Sequence, residues 1–330
     1  RRGREDEDDR DRRGDGHARA AHERGSVCAC LVARGLMATP VRASLFHGGR
    51  TSDVGAAVGL LKACFGDRVA LIGISMGGIV AANYAARSGS ESNLVACCAV
   101  SATLCSEVVL QPIGDRARRL WHPPLTLELK KTFLGGPNAP LLYEKCSIDQ
   151  IMGTHTIAAF DSTLVCPFNG YEAIDCEGGY YDDMSAAGRG DAAGFKRLAN
   201  VQTPTFVLHA KDDPIGPFAS CLPEACQRAG HVVLLATESG GHVEEAASDA
   251  AIVLSKLTQA SDFLGRQLLA AGGLHLAEVG LHSPLHVEEV LILQDRWLVG
   301  VGHLLVRVGL EHDGVCRDTA IKAHASVDCW

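Results

Sequence analysis

The chain has no surplus of positive charge. Its 330 residues carry 31 Lys and Arg against 39 Asp and Glu, a formal net charge of −8. That balance argues against a polyanionic partner such as nucleic acid and says little about a small ester. Paired metal-ligand spacing is also missing. The 13 cysteines are odd in number and scattered, with Cys28 and Cys30, the adjacent Cys97 and Cys98, and Cys221 and Cys226 lacking the spacing of a zinc site. They read as mostly buried thiols of a reducing compartment. No metal and no cofactor is expected. Six histidines between His275 and His324 have no recognisable ligand spacing, and Glu177, Asp182 and Asp183 read as an acidic surface loop. No secretory signal opens the chain. Residues 1–24 mix Arg, Asp and Glu with almost no aliphatic content, so they are expected to be disordered. Their acids balance their arginines, which weakens the case for a nucleic-acid arm. One uncharged stretch, 69–86, is long enough for a membrane span. Its glycines, Ser75 and Asn83 fit a strand, a turn and a helix better.

That stretch holds the most informative feature. Gly73-Ile74-Ser75-Met76-Gly77-Gly78 places a serine between an apolar strand and a small-residue helix, the pattern of a nucleophile elbow. A strand turning sharply into a helix strains the residue at the apex and tolerates only small neighbours, which Gly73, Gly77 and Gly78 provide. The turn exposes the Ser75 hydroxyl and places the backbone N–H of Met76 where it can face an oxyanion. Upstream, Thr51-Ser52-Asp53 reads as a helix start, with Val54, Ala57, Val58 and Leu61 on one face and Gly66 as its end. Helix, strand, elbow and helix in that order predict a doubly wound α/β sheet.

An acid and a histidine should then follow, each just past a strand. Residues 204–210 read as a buried strand that runs into Lys211-Asp212-Asp213-Pro214-Ile215. Residues 231–236 read as the next strand, followed by Glu238-Ser239-Gly240-Gly241-His242. His242 is the candidate base, since an imidazole can take the serine proton and later protonate a leaving group. Asp213 is preferred to Asp212 as the acid that orients the ring, because it directly precedes Pro-Ile at the turn.

These motifs resemble the YheT-like branch of the α/β hydrolases, which includes the embryogenesis-associated hydrolases, animal abhydrolase-domain lipid hydrolases and yeast ethanol O-acyltransferases. The resemblance covers about residues 34–242. It rests on Ser44-Leu45-Phe46-His47-Gly48-Gly49-Arg50-Thr51-Ser52-Asp53, on the elbow, on Phe160-Asp161, Gly170-Tyr171, Tyr180-Tyr181 and Ser185, and most specifically on Ala210-Lys211-Asp212-Asp213-Pro214. It implies an α/β-hydrolase fold with a mostly parallel sheet and an inserted cap. It also implies cleavage of carboxylic esters of lipid-like or medium-chain acyl substrates through an acyl group on Ser75, with Asp213 and His242 completing a triad. Transfer of the acyl group to an alcohol is the alternative within the family, and a catalytically silent binding protein the alternative outside it. The expected partner is a small lipid-like ester, with peripheral membrane contact and an intracellular location; the oligomeric state stays open.

Departures from the family pattern matter too. His47-Gly48-Gly49 is too close to Ser75 to be the loop that supplies a second oxyanion donor, since only one helix and one strand fit between them. It reads as the connection entering the helix before the elbow, and the second donor is unassigned. Upstream sheet strands are therefore expected to be missing or degraded. After His242 the chain reads Val243-Glu244-Glu245-Ala246-Ala247, unlike the family. The expected organisation is a disordered segment over 1–26, a hydrolase domain over 27–270 with its cap at about 106–200, and an extension over 271–330. A helix is expected over 248–269, and 296–310 alternates like a strand. Trp121-His122-Pro123-Pro124, Phe133-Leu134 and 168–171 are open to two readings, an acyl pocket or the cap's own core.

Overall fold

A computed structural model of the chain describes residues 26–35, 45–66, 69–111, 114–136, 138–188, 197–242, 291–295 and 302–309, and the statements below concern these. The expectations for 1–25, 243–247 and 248–269 lie outside the described residues. Seven strands form one sheet in the order β1-β7-β6-β2-β3-β4-β5. They are β1 (Ser26–Val32), β2 (Val69–Ile74), β3 (Ala96–Val100), β4 (Thr205–Ala210), β5 (Val232–Thr237), β6 (Leu291–Asp295) and β7 (Gly302–Gly309). From β2 to β5 every neighbouring pair is parallel. All six residues of β2 and of β4 are buried, and both strands read as near-continuous runs without polar alternation, as strands covered on both faces must.

Helix α1 (Ser52–Phe65) precedes β2 and carries the anticipated stripe, with Val54, Val58 and Leu61 buried. It ends where expected, with the Gly66 N–H donating to Lys62 O at 2.9 Å. Arg34, just past β1, donates to both carboxylate oxygens of Asp53 in the first turn of α1. Helix α2 (Met76–Ser88) is buried continuously from Gly77 to Ala86. Its small side chains let it lie close to the sheet on one side while other parts of the chain cover the rest. Asn83, the polar residue that argued against a membrane span, is 1% exposed. Its amide donates to Gly48 O, Ile79 O and Met184 O, joining the turn before α1 to the cap.

Among the described residues one strand, β1, precedes α1, and the sequence reading did not identify it. Its short apolar run lacks the alternation that marks a half-buried strand, and its partner β7 lies more than 270 residues away. β7 falls inside the stretch read as strand-like, whereas β6 was not anticipated. Both occupy the side of the sheet beyond β2, where upstream strands were expected to be lacking.

Between β3 and β4 the chain leaves the sheet for a helical cap. It comprises α3 (Asp115–Leu120), α4 (His122–Leu134), α5 (Ala139–Lys145), α6 (Ile148–Met152), α7 (Ile157–Phe160), a π-helical turn (Asp161–Val165), α8 (Cys166–Asn169) and α9 (Tyr180–Asp183). Phe133, Phe160, Phe168, Tyr180 and Tyr181 are buried, and the Phe133 and Phe160 rings pack 5.9 Å apart. Phe133 and Phe168 thus belong to the cap's own core, whereas Trp121 is exposed. Asp182 and Asp183 do not form a solvated acidic loop. Asp182 is buried and accepts from Arg197 at 2.8 Å, and Asp183 accepts from Arg87 at 2.9 Å. Their partners lie far along the chain, so local composition could not reveal the pairing. Among the described residues no group of three or more His, Cys, Asp and Glu is placed to hold a metal ion.

Asp161 sits in the π-helical turn with its carboxylate buried and accepting from the Tyr181 hydroxyl at 3.1 Å. Burial pushes its pKa up to about 7, against a smaller opposing effect of the Tyr181 hydrogen bond. The unfolded chain therefore releases this proton at lower pH than the folded chain does. The contribution to stability is fully present at low pH and falls as pH rises from about 4 to about 7, by up to about 1.4 kcal/mol per pH unit. Asp161→Asn keeps an acceptor for Tyr181 and removes the titration. Urea unfolding at pH 4.5 and 7.5 should show the variant gaining stability relative to the wild type at the higher pH. Equal differences at both pH values would show that Asp161 ionises freely.

Candidate active site

The site begins with the turn from β2 into α2. Ser75 at its apex has φ 56° and ψ −121°, a backbone conformation that costs a non-glycine residue on the order of 1–3 kcal/mol and persists only where neighbours enforce it. The enforcement is visible. The Ser75 N–H donates to Val100 O on β3 at 2.8 Å, and Ser75 O accepts from the Ile79 N–H at 3.0 Å. A Cβ on Gly73 would lie 2.1 Å from Gly77 O, and one on Gly78 would lie 2.9 Å from the Ala102 side chain. Only glycine fits at 73. Met76 begins α2, so its N–H belongs to the first helical turn and has no intrahelical acceptor.

The acid stands past the end of β4. The Asp213 side chain is fully buried. Its Oδ1 accepts from the N–H groups of Ile215 at 2.8 Å and Gly216 at 2.9 Å. Its Oδ2 lies 2.7 Å from His242 Nδ1, and His242 Nε2 lies 2.9 Å from Ser75 Oγ. With Nδ1 protonated toward the carboxylate, Nε2 is left to accept from the hydroxyl. The three sequence-predicted side chains are thus within hydrogen-bonding reach of one another, although 138 and 167 residues separate Ser75 from the other two. Asp212 points elsewhere and accepts from the Gly241 N–H at 2.9 Å. It holds the turn that carries His242, and that turn needs glycine at 241, where φ is 58°.

His47 is buried in the connection entering α1, as its spacing implied. Its Nδ1 accepts from the Gly49 N–H at 3.2 Å, and its ring stands edge-on to Tyr171 and Tyr180 at 5.5 Å. Burial, aided by Arg50, pushes its pKa down to about 3, so it remains neutral. A second histidine, His209, was read only as part of a strand; it is fully buried and lies beside Asp213. A cavity of about 370 Å³ is lined by Asn83, Arg87, Asp182, Asp183 and Arg197 among others. It adjoins the last turns of α2, roughly 12–18 Å along the helix from Ser75, and none of the three converging side chains lines it. Among the described residues no helix is long and apolar enough to cross a membrane.

The chain is similar in sequence to several known hydrolases. The mouse phospholipase ABHD3 is 29% identical over 175 residues, which cover 52% of this chain and 39% of that protein. The putative esterase YheT of Escherichia coli is 28% identical over 231 residues, 69% of this chain and 64% of that one. The monoacylglycerol lipase of Saccharomyces cerevisiae is 26% identical over 210 residues, 60% and 43% of the respective chains. The chain therefore spans less than two thirds of each of these relatives. Residues 11–252 match the profile of the alpha/beta hydrolase family, and this chain belongs to that family.

Proposed function

We propose that the chain is a serine hydrolase that cleaves carboxylic esters of lipid-like or medium-chain acyl substrates. The observation that carries this reading is the unbroken relay from Ser75 Oγ through the His242 ring to Asp213, with contacts of 2.9 and 2.7 Å. His242 Nε2 takes the hydroxyl proton as Ser75 Oγ bonds to the ester carbonyl carbon. The carbonyl oxygen becomes an oxyanion facing the Met76 N–H. Collapse breaks the bond to the alkoxy group, which leaves with the proton from His242. Water then adds to the acyl-Ser75 with the same proton traffic and releases the acid. Asp213 keeps the ring in the required tautomer and stabilises the imidazolium that forms twice per turnover. The relatives named as phospholipase, esterase and monoacylglycerol lipase support an ester of a lipid as the substrate class.

The outer side of the cap supports peripheral membrane contact. Leu120, Trp121, Leu127, Tyr143 and Met152 are exposed in the cap, and residues 115–145, apart from the buried Lys130, carry five basic and three acidic side chains in a chain of net charge −8. Exposed apolar side chains beside basic ones are the chemistry that favours an anionic lipid surface.

Two measurements test these readings. A fluorophosphonate should form an adduct on Ser75, and hydrolysis of a medium-chain p-nitrophenyl ester should fall by roughly 10⁴- to 10⁶-fold in Ser75→Ala and His242→Ala and by about 10⁴-fold in Asp213→Asn. A folded wild-type sample that forms no adduct would leave the silent binding protein as the better reading. In sedimentation with vesicles, the chain should partition onto phosphatidylserine-containing membranes more than onto pure phosphatidylcholine. Leu120→Ser with Trp121→Ser should weaken that partition several-fold. Unchanged binding of the double variant would remove the cap from any membrane role.

A further inference from the structure

His209 lies on β4 and is fully buried, four residues before the acid of the relay. Its Nε2 is 2.8 Å from Gly216 O and 3.4 Å from Asp213 Oδ2. The second distance is a close approach of the ring to the carboxylate rather than a hydrogen bond, since the N–H donates to the Gly216 carbonyl. Gly216 is therefore held from both sides. Its N–H donates to Asp213 Oδ1 and its C=O accepts from His209. Space around it is filled as well, since a Cβ there would sit 3.2 Å from Thr103 Oγ1 and 3.5 Å from His209 Cε1. The ring of Phe218 packs against His209 with centroids 6.2 Å apart.

We infer that His209 is a positioning residue for the relay: it clamps the loop 213–216 through the Gly216 carbonyl and thereby fixes the plane of the Asp213 carboxylate against His242. The inference rests on the proposed hydrolase reading for its catalytic consequence, but the positioning itself does not need turnover. Burial lowers the pKa of His209, which favours the neutral ring, and the contact with Gly216 O places a proton on Nε2. A neutral donor is what the site requires. A cation lodged against Asp213 would compete with the imidazolium that must form on His242 during each proton transfer. Without the donor, Gly216 O is left buried and unpartnered, and the two N–H groups on Oδ1 are free to shift with their loop. The carboxylate then turns within its pocket and its Oδ2 no longer faces His242 Nδ1 squarely.

Two variants separate positioning from bulk. His209→Gln retains an N–H donor at about the reach of Nε2, whereas His209→Leu removes the donor and keeps a buried side chain of similar size. The first readout is the far-downfield proton resonance of His242 Nδ1–H at neutral pH, identified in the wild type by its loss in His242→Ala. It should be lost or broadened in the Leu variant and retained in the Gln variant, with thermal unfolding reporting whether each is folded. The second is ester hydrolysis per probe-titrated site, where kcat should fall roughly ten- to hundredfold in the Leu variant with KM little changed, and recover largely in the Gln variant. A folded Leu variant that keeps the resonance would overturn the inference, as would a wild type that shows no such resonance, or a Gln variant that loses it. A wild type with the resonance but no fluorophosphonate adduct would instead refute the hydrolase reading and leave the positioning role to stand on the spectrum.

Discussion

The geometry of the site depends on one strained peptide. Ser75 is held at positive φ because β2 must turn into α2 within a single residue, and because no neighbouring backbone could relax it without losing the hydrogen bond from the Ser75 N–H to Val100 O. That bond comes from the adjacent parallel strand, so the sheet itself enforces the turn. The helix contributes glycines at 77 and 78 in its first turn, where the approach of Gly77 O to Gly73 leaves no room for a methyl group. The strain is therefore supported by packing that extends through the sheet and α2, and the hydroxyl at its apex is presented without a conformational search.

Parallel strands explain the convergence of residues so distant in sequence. In an open α/β sheet the carboxyl ends of neighbouring strands share one edge, and loops leaving them meet there. Ser75 directly follows β2, Asp213 lies three residues beyond β4, and His242 lies five beyond β5. The pairing of β2 with β3, β3 with β4, and β4 with β5 sets the lateral spacing. The cap leaves from β3 and returns to β4, and its attachment through Asn83 reaches the helix that begins directly after Ser75. A displacement of the cap against the sheet must therefore break the amide's bond to Met184 O.

The parts legible in the sequence are those whose cause is local. The turn at Ser75 needs glycine at a fixed offset, α1 shows its buried face every three or four residues, and the central strands are apolar because both faces are covered. Asp213 and His242 could be chosen because each follows an apolar run read as a strand. What escaped depends on contacts without a local signature. Nothing around His209 distinguishes a buried donor from one more residue of an apolar strand, because the carbonyl it serves appears only when the loop 213–216 folds back. Asp182 and Asp183 look like surface acids until Arg197 and Arg87 are brought to them. β1 and β6 are short, and their pairing with strands far along the chain decides their state.

The two adjacent acids after β4 divide the task of placing the base. Asp213 binds the ring of His242, and Asp212 binds the backbone of Gly241 one residue earlier. Lys211 pairs with Glu238 in the same loop, although both side chains are exposed and such a pair contributes little. Three consecutive residues leaving β4 thus reach the segment that carries the base, and among the described residues the imidazole's hydrogen bonds run to Asp213 and Ser75. The loop after β5 supplies the histidine, but the exit of β4 determines where the histidine sits. Because β4 is itself fully buried and paired on both sides, the base inherits its position from the most constrained part of the sheet. A loop held in this way needs little rigidity of its own, which is compatible with the two glycines that precede His242.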